Sequence, residues 1–253
     1  MTPSSIETEI ANALPDWYVG HKLGIGARST IYQIRHRQTG QVQAIKFIPN
    51  RSPEDARVIG HLENEYKVLT ELHSVKTNAR NRIVKPLEFR KLRRFMRMKA
   101  AYLTMEFVPG KSLYEEEHYA LDEVLKIFIQ VCMGLEHIHH CGYVHADLKP
   151  HNIMVDMDLR VKLIDFGFAA PIGQELSGNK GTFGYLAPEQ AAGRLTDRTD
   201  IFNLGAAMYR VLTGHNVPSI MPGNHEAGGF VPDERVNLPQ LYHFNEDVPP
   251  ELS

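Results

Sequence analysis

Apolar and polar positions alternate through the first third of the chain and then change period. Between Trp17 and about Phe47, "YVGHKLG", "STIYQIRH" and "VQAIKFI" read as three short strands, with Thr39-Gly40 marking one of the turns. Ser52-Pro53-Glu54-Asp55 reads as a helix start, with serine at the cap and proline in the first turn. The helix it opens places Val58, Leu62, Tyr66, Leu69 and Leu72 along one stripe. Two further strands are expected near "IVKPLEF" and "AYLTMEFV", with "RKLRRFMRMK" as the connection between them. After Gly110 the period becomes helical: Val124, Phe128, Val131, Leu135 and Ile138 share a face. Two short strands, "NIMV" and "VKLI", and a second apolar helix, "DIFNLGAAMYRVL", follow. A strand-rich half thus precedes a helix-rich half, an α+β arrangement of two lobes divided near Pro109-Gly110. Residues 1 to about 15 read as a polar lead-in, and the last forty, rich in Pro, Gly and Asn, show no period.

Composition narrows this picture modestly. A chain of 253 residues can bury a sizeable core, and a formal net charge of −2 gives no global attraction to nucleic acid or to an acidic membrane. Cys132 and Cys141 have no metal or redox spacing, so a reduced, cytoplasmic chain is expected. The apolar run "VLKIFIQVCMGL" is interrupted by Lys126 and Gln130 and is too short to span a bilayer. "MTPSSIETEI" lacks the basic and apolar regions of a secretory signal.

The chemistry concentrates in a few stretches. "LGIGARSTI" sets Gly24 and Gly26 between strands, where backbone N–H groups can approach a phosphate. Lys46 sits on an otherwise apolar strand. Glu65 lies three residues after Leu62 and four before Leu69, so it shares their inward face and needs a cation, which Lys46 can supply. Glu63 shares a face with Ile59 and Tyr66 and fits that role less well. "GYVHADLKPHNIMV" crowds His145, Asp147, Lys149 and Asn152 between apolar runs, and Asp165 follows the next strand in "LIDFGF". Asp147 can accept a hydroxyl proton, Lys149 can neutralise a phosphoryl group, and Asn152 and Asp165 carry the hard oxygens that suit Mg²⁺.

Taken in order, these stretches resemble the eukaryotic-type serine/threonine protein kinase catalytic domain. The resemblance runs from about residue 18 to 214 and adds "MEFVPG", "GTFGYLAPEQ" and "DIFNLG" to the motifs above. It implies a two-lobed kinase-like fold over 16–253: a small antiparallel-sheet lobe with one helix to about 108, then a mostly helical lobe. It implies ATP with Mg²⁺ (Mn²⁺ as a substitute) as cofactors, and protein Ser/Thr hydroxyls as substrates. ATP would be held by Leu23, Gly24, Ile25, Gly26, Ala27, Arg28, Ser29, Thr30, Ile31, Ala44, Lys46, Met105, Glu106, Val108 and Met154. Lys46 would grip the α- and β-phosphates while paired with Glu65, Asp147 would be the base, and Lys149 would contact the γ-phosphate. Asn152 and Asp165 would bind the metal. Thr182 would support the base through Asp147 and Lys149. His145, Phe166, Leu69 and Leu87 would form an internal stack tied to Asp200. A small-molecule phosphotransferase shares the "HxDxxxxN" element but lacks the platform in "GTFGYLAPEQ". A catalytically silent scaffold is the other alternative, disfavoured by the retained Lys46, Asp147, Asn152 and Asp165.

Three departures qualify the resemblance. Ser29 stands where a third glycine is usual. Ala146 replaces the arginine that gathers a phosphate on the activation segment of relatives. The segment from Asp165 to Glu189 is therefore expected to order without phosphorylation, with Ser177 as its candidate site. The family's last helices, which carry an arginine partner for Glu189, are not recognised here. Glu189 should then be wet, be served by a rearranged tail, or belong to a fragment of a longer polypeptide. Two minor features remain. The basic "RKLRRFMRMK" reads as a solvated hairpin rather than a docking patch for an acidic partner or anionic lipid. His137, His140, Cys141 and His145 are a weak zinc set, since the kinase pattern already accounts for His145.

Overall fold

The computed structural model describes residues 5–26, 28–95, 97–115, 119–175, 181–217, 240–245 and 247–249. Ala27 and Ser177, singled out by sequence, lie outside them, as does most of the unpatterned tail. The chain divides into two units, Met1–His73 with Val84–Val108, and Ser74–Ile83 with Pro109–Ser253. Residues 74–83 thus leave the continuous 16–108 stretch expected of the first lobe. Local packing explains this: Thr77 Oγ1 bonds His137 Nδ1 at 2.9 Å, and Ile83 forms a bridge with Leu163.

In the first unit, β1 (Trp17–Ile25), β2 (Thr30–His36), β3 (Val42–Pro49), β4 (Pro86–Arg94) and β5 (Arg97–Glu106) form an antiparallel sheet in the order β1-β2-β3-β5-β4. Period-two alternation sorts its two faces. Tyr32, Ile34, Ile45, Phe47, Ala100 and Tyr102 bury on one. The opposite side chains of β3 and β5 include Ala44, Lys46, Leu103 and Met105, with Ala44 opposite Met105 and Lys46 opposite Leu103.

The first face is covered by α1 (Ser5–Ala13), which corrects the polar lead-in. Ile6, Ile10 and Leu14 recur every fourth residue and pack on the sheet, and Ile10 is fully buried. This unit therefore holds two helices rather than one. The "RKLRRFMRMK" connection is also corrected: most of it extends β4 and β5, leaving a turn around Phe95.

The second helix, α2 (Pro53–Ser74), is capped by Ser52, whose Oγ accepts the Asp55 N–H at 3.2 Å. Its buried row is Ile59, Leu62, Glu65, Val68, Leu69 and Leu72. Val58 and Tyr66, expected on the stripe, are half-buried. The row turns toward Ile59 and Val68, the side that also carries Glu65 inward.

The second unit is organised by α3 (Leu121–His140) and α5 (Asp197–Thr213). The first turn of α3 is closed by Glu123, whose carboxylate accepts the Ala120 N–H at 2.9 Å. Gly214 ends α5 at φ 73°, a left-handed cap that donates to the Arg210 carbonyl. β6 (Lys111–Ser112) precedes α3, and between the two helices in sequence come β7 (Tyr143–Val144), β8 (Ile153–Val155), β9 (Val161–Leu163), β10 (Ala170–Pro171) and the short α4 (Pro188–Ala191). The strands form a β6-β8-β9 sheet and a β7-β10 pair. These fragments frame the loop from Val144 to Asn152. No helix among the described residues is long and apolar enough to cross a membrane.

Candidate active site

The loop after β7 is fixed from beneath by one carboxylate. Asp200, fully buried on α5, accepts the N–H of His145 at 2.8 Å and that of Ala146 at 2.9 Å. His139 Nε2 lies 2.8 Å from the same carboxylate. Ala146 is held at φ 62°, which costs a non-glycine residue about 1 kcal/mol. Its carbonyl accepts from Gln190 Nε2 at 2.6 Å, so both polar groups of the strained peptide are satisfied. The methyl group of Ala146 has nothing with which to pair a phosphate.

This strained turn presents Asp147. Its carboxylate is 5 % exposed by residue and accepts three side-chain donors. Thr182 Oγ1 donates to Oδ1 at 2.7 Å; Lys149 Nζ and Asn152 Nδ2 donate to Oδ2 at 2.8 and 3.2 Å. Lys149 also donates to the Thr182 hydroxyl at 2.6 Å, closing a ring of three residues. Asn152 Nδ2 further donates to the Asp147 carbonyl at 2.8 Å. His145 Nδ1 accepts the Asp147 N–H at 3.3 Å, so the four polar residues singled out in sequence are one hydrogen-bonded group. Its outer edge is aromatic: Tyr114 stacks on His151 with centroids 3.7 Å apart. Burial, then the Lys149 charge, holds the His151 pKa below the usual imidazole value.

Asp165 follows β9, which pairs with β8. The Ile164 N–H donates to the Asn152 carbonyl at 3.0 Å, so Asp165 enters the chain beside Asn152, at φ 63°. Both side-chain bonds of Asn152 use its nitrogen, which leaves the amide oxygen able to accept a ligand. A carboxylate and an amide oxygen make a hard donor pair that suits a divalent cation keeping water and phosphate ligands. Among the described residues no group of three or more His, Cys, Asp or Glu gathers as a metal cluster. His137 is bonded to Thr77, and His145 Nε2 lies 3.1 Å from the Ile164 carbonyl, so the histidine-rich stretch is spent on packing. His145 stacks on Phe166 at 4.6 Å, giving half of the expected internal stack.

In the first unit, Lys46 Nζ and Glu65 Oε2 are 2.8 Å apart, with the side chains 12 % and 1 % exposed. Glu63 faces outward and pairs with Lys91 at 2.6 Å. The expected choice of Glu65 over Glu63 follows from this geometry. Neither Gly24 nor Gly26 has a positive φ, and the two differ in the space around them. A Cβ at Gly26 would sit 2.5 Å from Ser29 Oγ, whereas one at Gly24 would meet only Ile31 Cδ1, at 4.0 Å. The open side of Gly24 is where a phosphate or ring could approach. Ser29 is buried, and its carbonyl accepts the Gly26 N–H at 2.9 Å, so it closes the loop's own turn. Leu23 and Ile25 are exposed; Thr30 and Ile31 begin β2. Ala44 and Met105 are buried, Leu69 is fully buried and Leu87 half-buried. Glu106 Oε1 accepts the Lys85 N–H at 2.9 Å, and Val108 closes this unit. Met154, on β8 of the second unit, is half-buried opposite Lys162.

Two features were not legible in sequence. Arg28, at the tip of the glycine loop, bonds Asp55 at 2.9 Å and Ser52 at 3.2 Å, tying the loop to the start of α2. That guanidinium, with the Arg51 N–H, pulls the Asp55 pKa down to about 2. Spacing of 27 residues gives no sign of it. The second feature is Glu189. Its carboxylate is half-exposed and accepts the hydroxyl of the fully buried Thr199 at 2.8 Å. A threonine does the satisfying for which an arginine was sought, and the carboxylate keeps partial access to water, in keeping with the expectation of a wet Glu189.

Comparison with known proteins gives a consistent result. A family model described as the protein kinase domain matches residues 17–247. Sperm motility kinase 2A of Mus musculus is 33% identical over 205 residues, covering 76% of this chain and 37% of that protein. Serine/threonine-protein kinase AtPK1/AtPK6 of Arabidopsis thaliana is 26% identical over 235 residues, covering 90% of this chain and 48% of its own length. A probable serine/threonine-protein kinase of Clostridium perfringens is 27% identical over 242 residues, covering 91% and 33%. The chain spans between about a third and a half of the length of these relatives.

Proposed function

Because the chain belongs to the protein kinase domain family, we propose that it transfers the γ-phosphoryl group of ATP to serine and threonine hydroxyls of protein substrates. The hydrogen-bonded ring of Asp147, Lys149 and Thr182, extended by Asn152, carries this reading. In it, the substrate oxygen forms a bond to the γ-phosphorus while the bond to the β-bridging oxygen breaks and ADP leaves. Asp147 accepts the hydroxyl proton and aims the oxygen, and Lys149 offsets charge on the moving phosphoryl group. Asn152 and Asp165 would hold Mg²⁺, which would supply charge neutralisation on the phosphates when bound. Lys46, oriented by Glu65, would bind the α- and β-phosphates, and Ala44, Ile31 and Met154 would contact the adenine. Little covalent chemistry falls to the protein; positioning and preset charge do the work. The serine/threonine names of two relatives support the hydroxyl class. Two free thiols, Cys132 and Cys141, favour a reducing cytoplasmic setting.

The test is incubation of the purified chain with labelled ATP, Mg²⁺ and a generic basic protein. Label on protein that falls at least 10²–10³-fold in Asp147→Asn supports the reading. Label confined to small molecules would favour the small-molecule phosphotransferase, and nucleotide binding without turnover the scaffold.

A further inference from the structure

We propose that the apex of the β4–β5 hairpin is a docking surface for anionic phospholipid membranes. The apex carries Arg93, Arg94, Phe95, Arg97 and Lys99, all exposed. The two cations nearer the sheet are neutralised: Arg90 pairs with Glu88 at 2.6 Å and Lys91 with Glu63 at 2.6 Å. No carboxylate among the described residues pairs with the four at the apex.

Three features of this turn run against stability. Arg94 and Arg97 are directly opposite in the register, a cross-strand pair of like charges. Phe95 adopts φ 48°, where a bulky side chain is strained and where Asn or Gly is the usual choice. Its ring is 89% exposed, touched at 5.7 Å by the Arg94 guanidinium. Edge-strand protection explains cations on β4, which borders the sheet. It does not explain Arg97 and Lys99 on β5, nor an aromatic ring at the tip.

An anionic bilayer relieves the first and third of these at once. Headgroup phosphates pair with the opposed arginines, and the ring enters the interface where aromatic side chains are favoured. The apex is held for this. Leu92 packs on the buried core of the sheet, and Asn50 braces the start of β5 by bonding the Met98 carbonyl at 3.0 Å and the Lys99 carbonyl at 2.7 Å. A narrow convex turn of cations around an exposed ring suits a deformable anionic surface better than the fixed groove of an acidic protein.

The experiment is co-sedimentation of the chain with phosphatidylserine–phosphatidylcholine vesicles and with phosphatidylcholine alone. Binding should require phosphatidylserine and weaken with salt. Arg94→Gln with Arg97→Gln should lower it roughly twenty- to thirtyfold, about fivefold per cation, and Phe95→Ser about tenfold. Lys67→Gln with Lys126→Gln, the same charge change elsewhere, should leave it within about twofold. Because the arginine substitutions remove like-charge repulsion and the Phe95 ring is 89% exposed, the apex variants should not lower the melting temperature. Equal binding to neutral vesicles, undiminished binding by the apex variants, or capture by polyglutamate beads but not by vesicles would each overturn the proposal.

Discussion

Replacing Thr182 by alanine removes one oxygen that both donates to Asp147 Oδ1 and accepts from Lys149 Nζ. Oδ2 keeps its bonds from Lys149 and Asn152, so the carboxylate stays in place. It loses the donor that sets its rotation about χ2. A hydrogen bond to a charged group contributes about 1.5–3 kcal/mol. If that contribution is felt fully in the transition state, kcat falls about 10- to 150-fold. The apparent KM for ATP should stay within about twofold, because Thr182 is proposed to align the base and not to hold nucleotide. Thr182→Ser should restore most of the rate, since the hydroxyl returns without the methyl. The assay is steady-state transfer to a peptide, with the melting temperature measured in parallel. A Thr182→Ala enzyme with wild-type kcat, or a folded Thr182→Ser enzyme as slow as the alanine variant, would refute the reasoning.

Other consequences follow from separate contacts. Glu65→Leu removes the buried carboxylate partner of Lys46, and the first unit should lose up to about 3–5 kcal/mol by denaturant unfolding; adding Lys46→Met should recover most of it. The Asp55 carboxyl, depressed to about 2 by Arg28, contributes stability above the ordinary carboxylate range that is lost as pH falls from about 4 toward 2. NMR titration should show that low midpoint, and Arg28→Ala should move it up toward the ordinary value. With alanine at 146 and its peptide bonded to Asp200 and Gln190, phosphatase treatment should leave activity unchanged within about twofold; loss of activity counts against an unphosphorylated working state.

Legibility varied with the range of the interaction. Lys46 and Glu65 could be paired because strand alternation and helical period each dictate which way a side chain faces. Asp147, Lys149 and Asn152 could be grouped because five residues of chain cannot separate them far. α1 was missed because Ile6, Ile10 and Leu14 are only three apolar residues in a polar stretch, and they become a seam once the sheet face is there to receive them. The apex of the basic hairpin was placed between strands because charged residues depress strand propensity, which main-chain pairing to a neighbouring strand overrides.

Sequence by itself determined the type and order of most elements and which polar groups lie close together along the chain. Those depend on local period and on motifs whose members are a few residues apart. Only the tertiary structure decided that Asp200 holds Ala146 at positive φ, that Thr199 serves Glu189, and that Arg28 reaches Asp55. Each of those joins residues 10 to 54 positions apart in the chain. Such contacts are selected by how the elements pack, a sum over the whole fold that no short window of sequence contains.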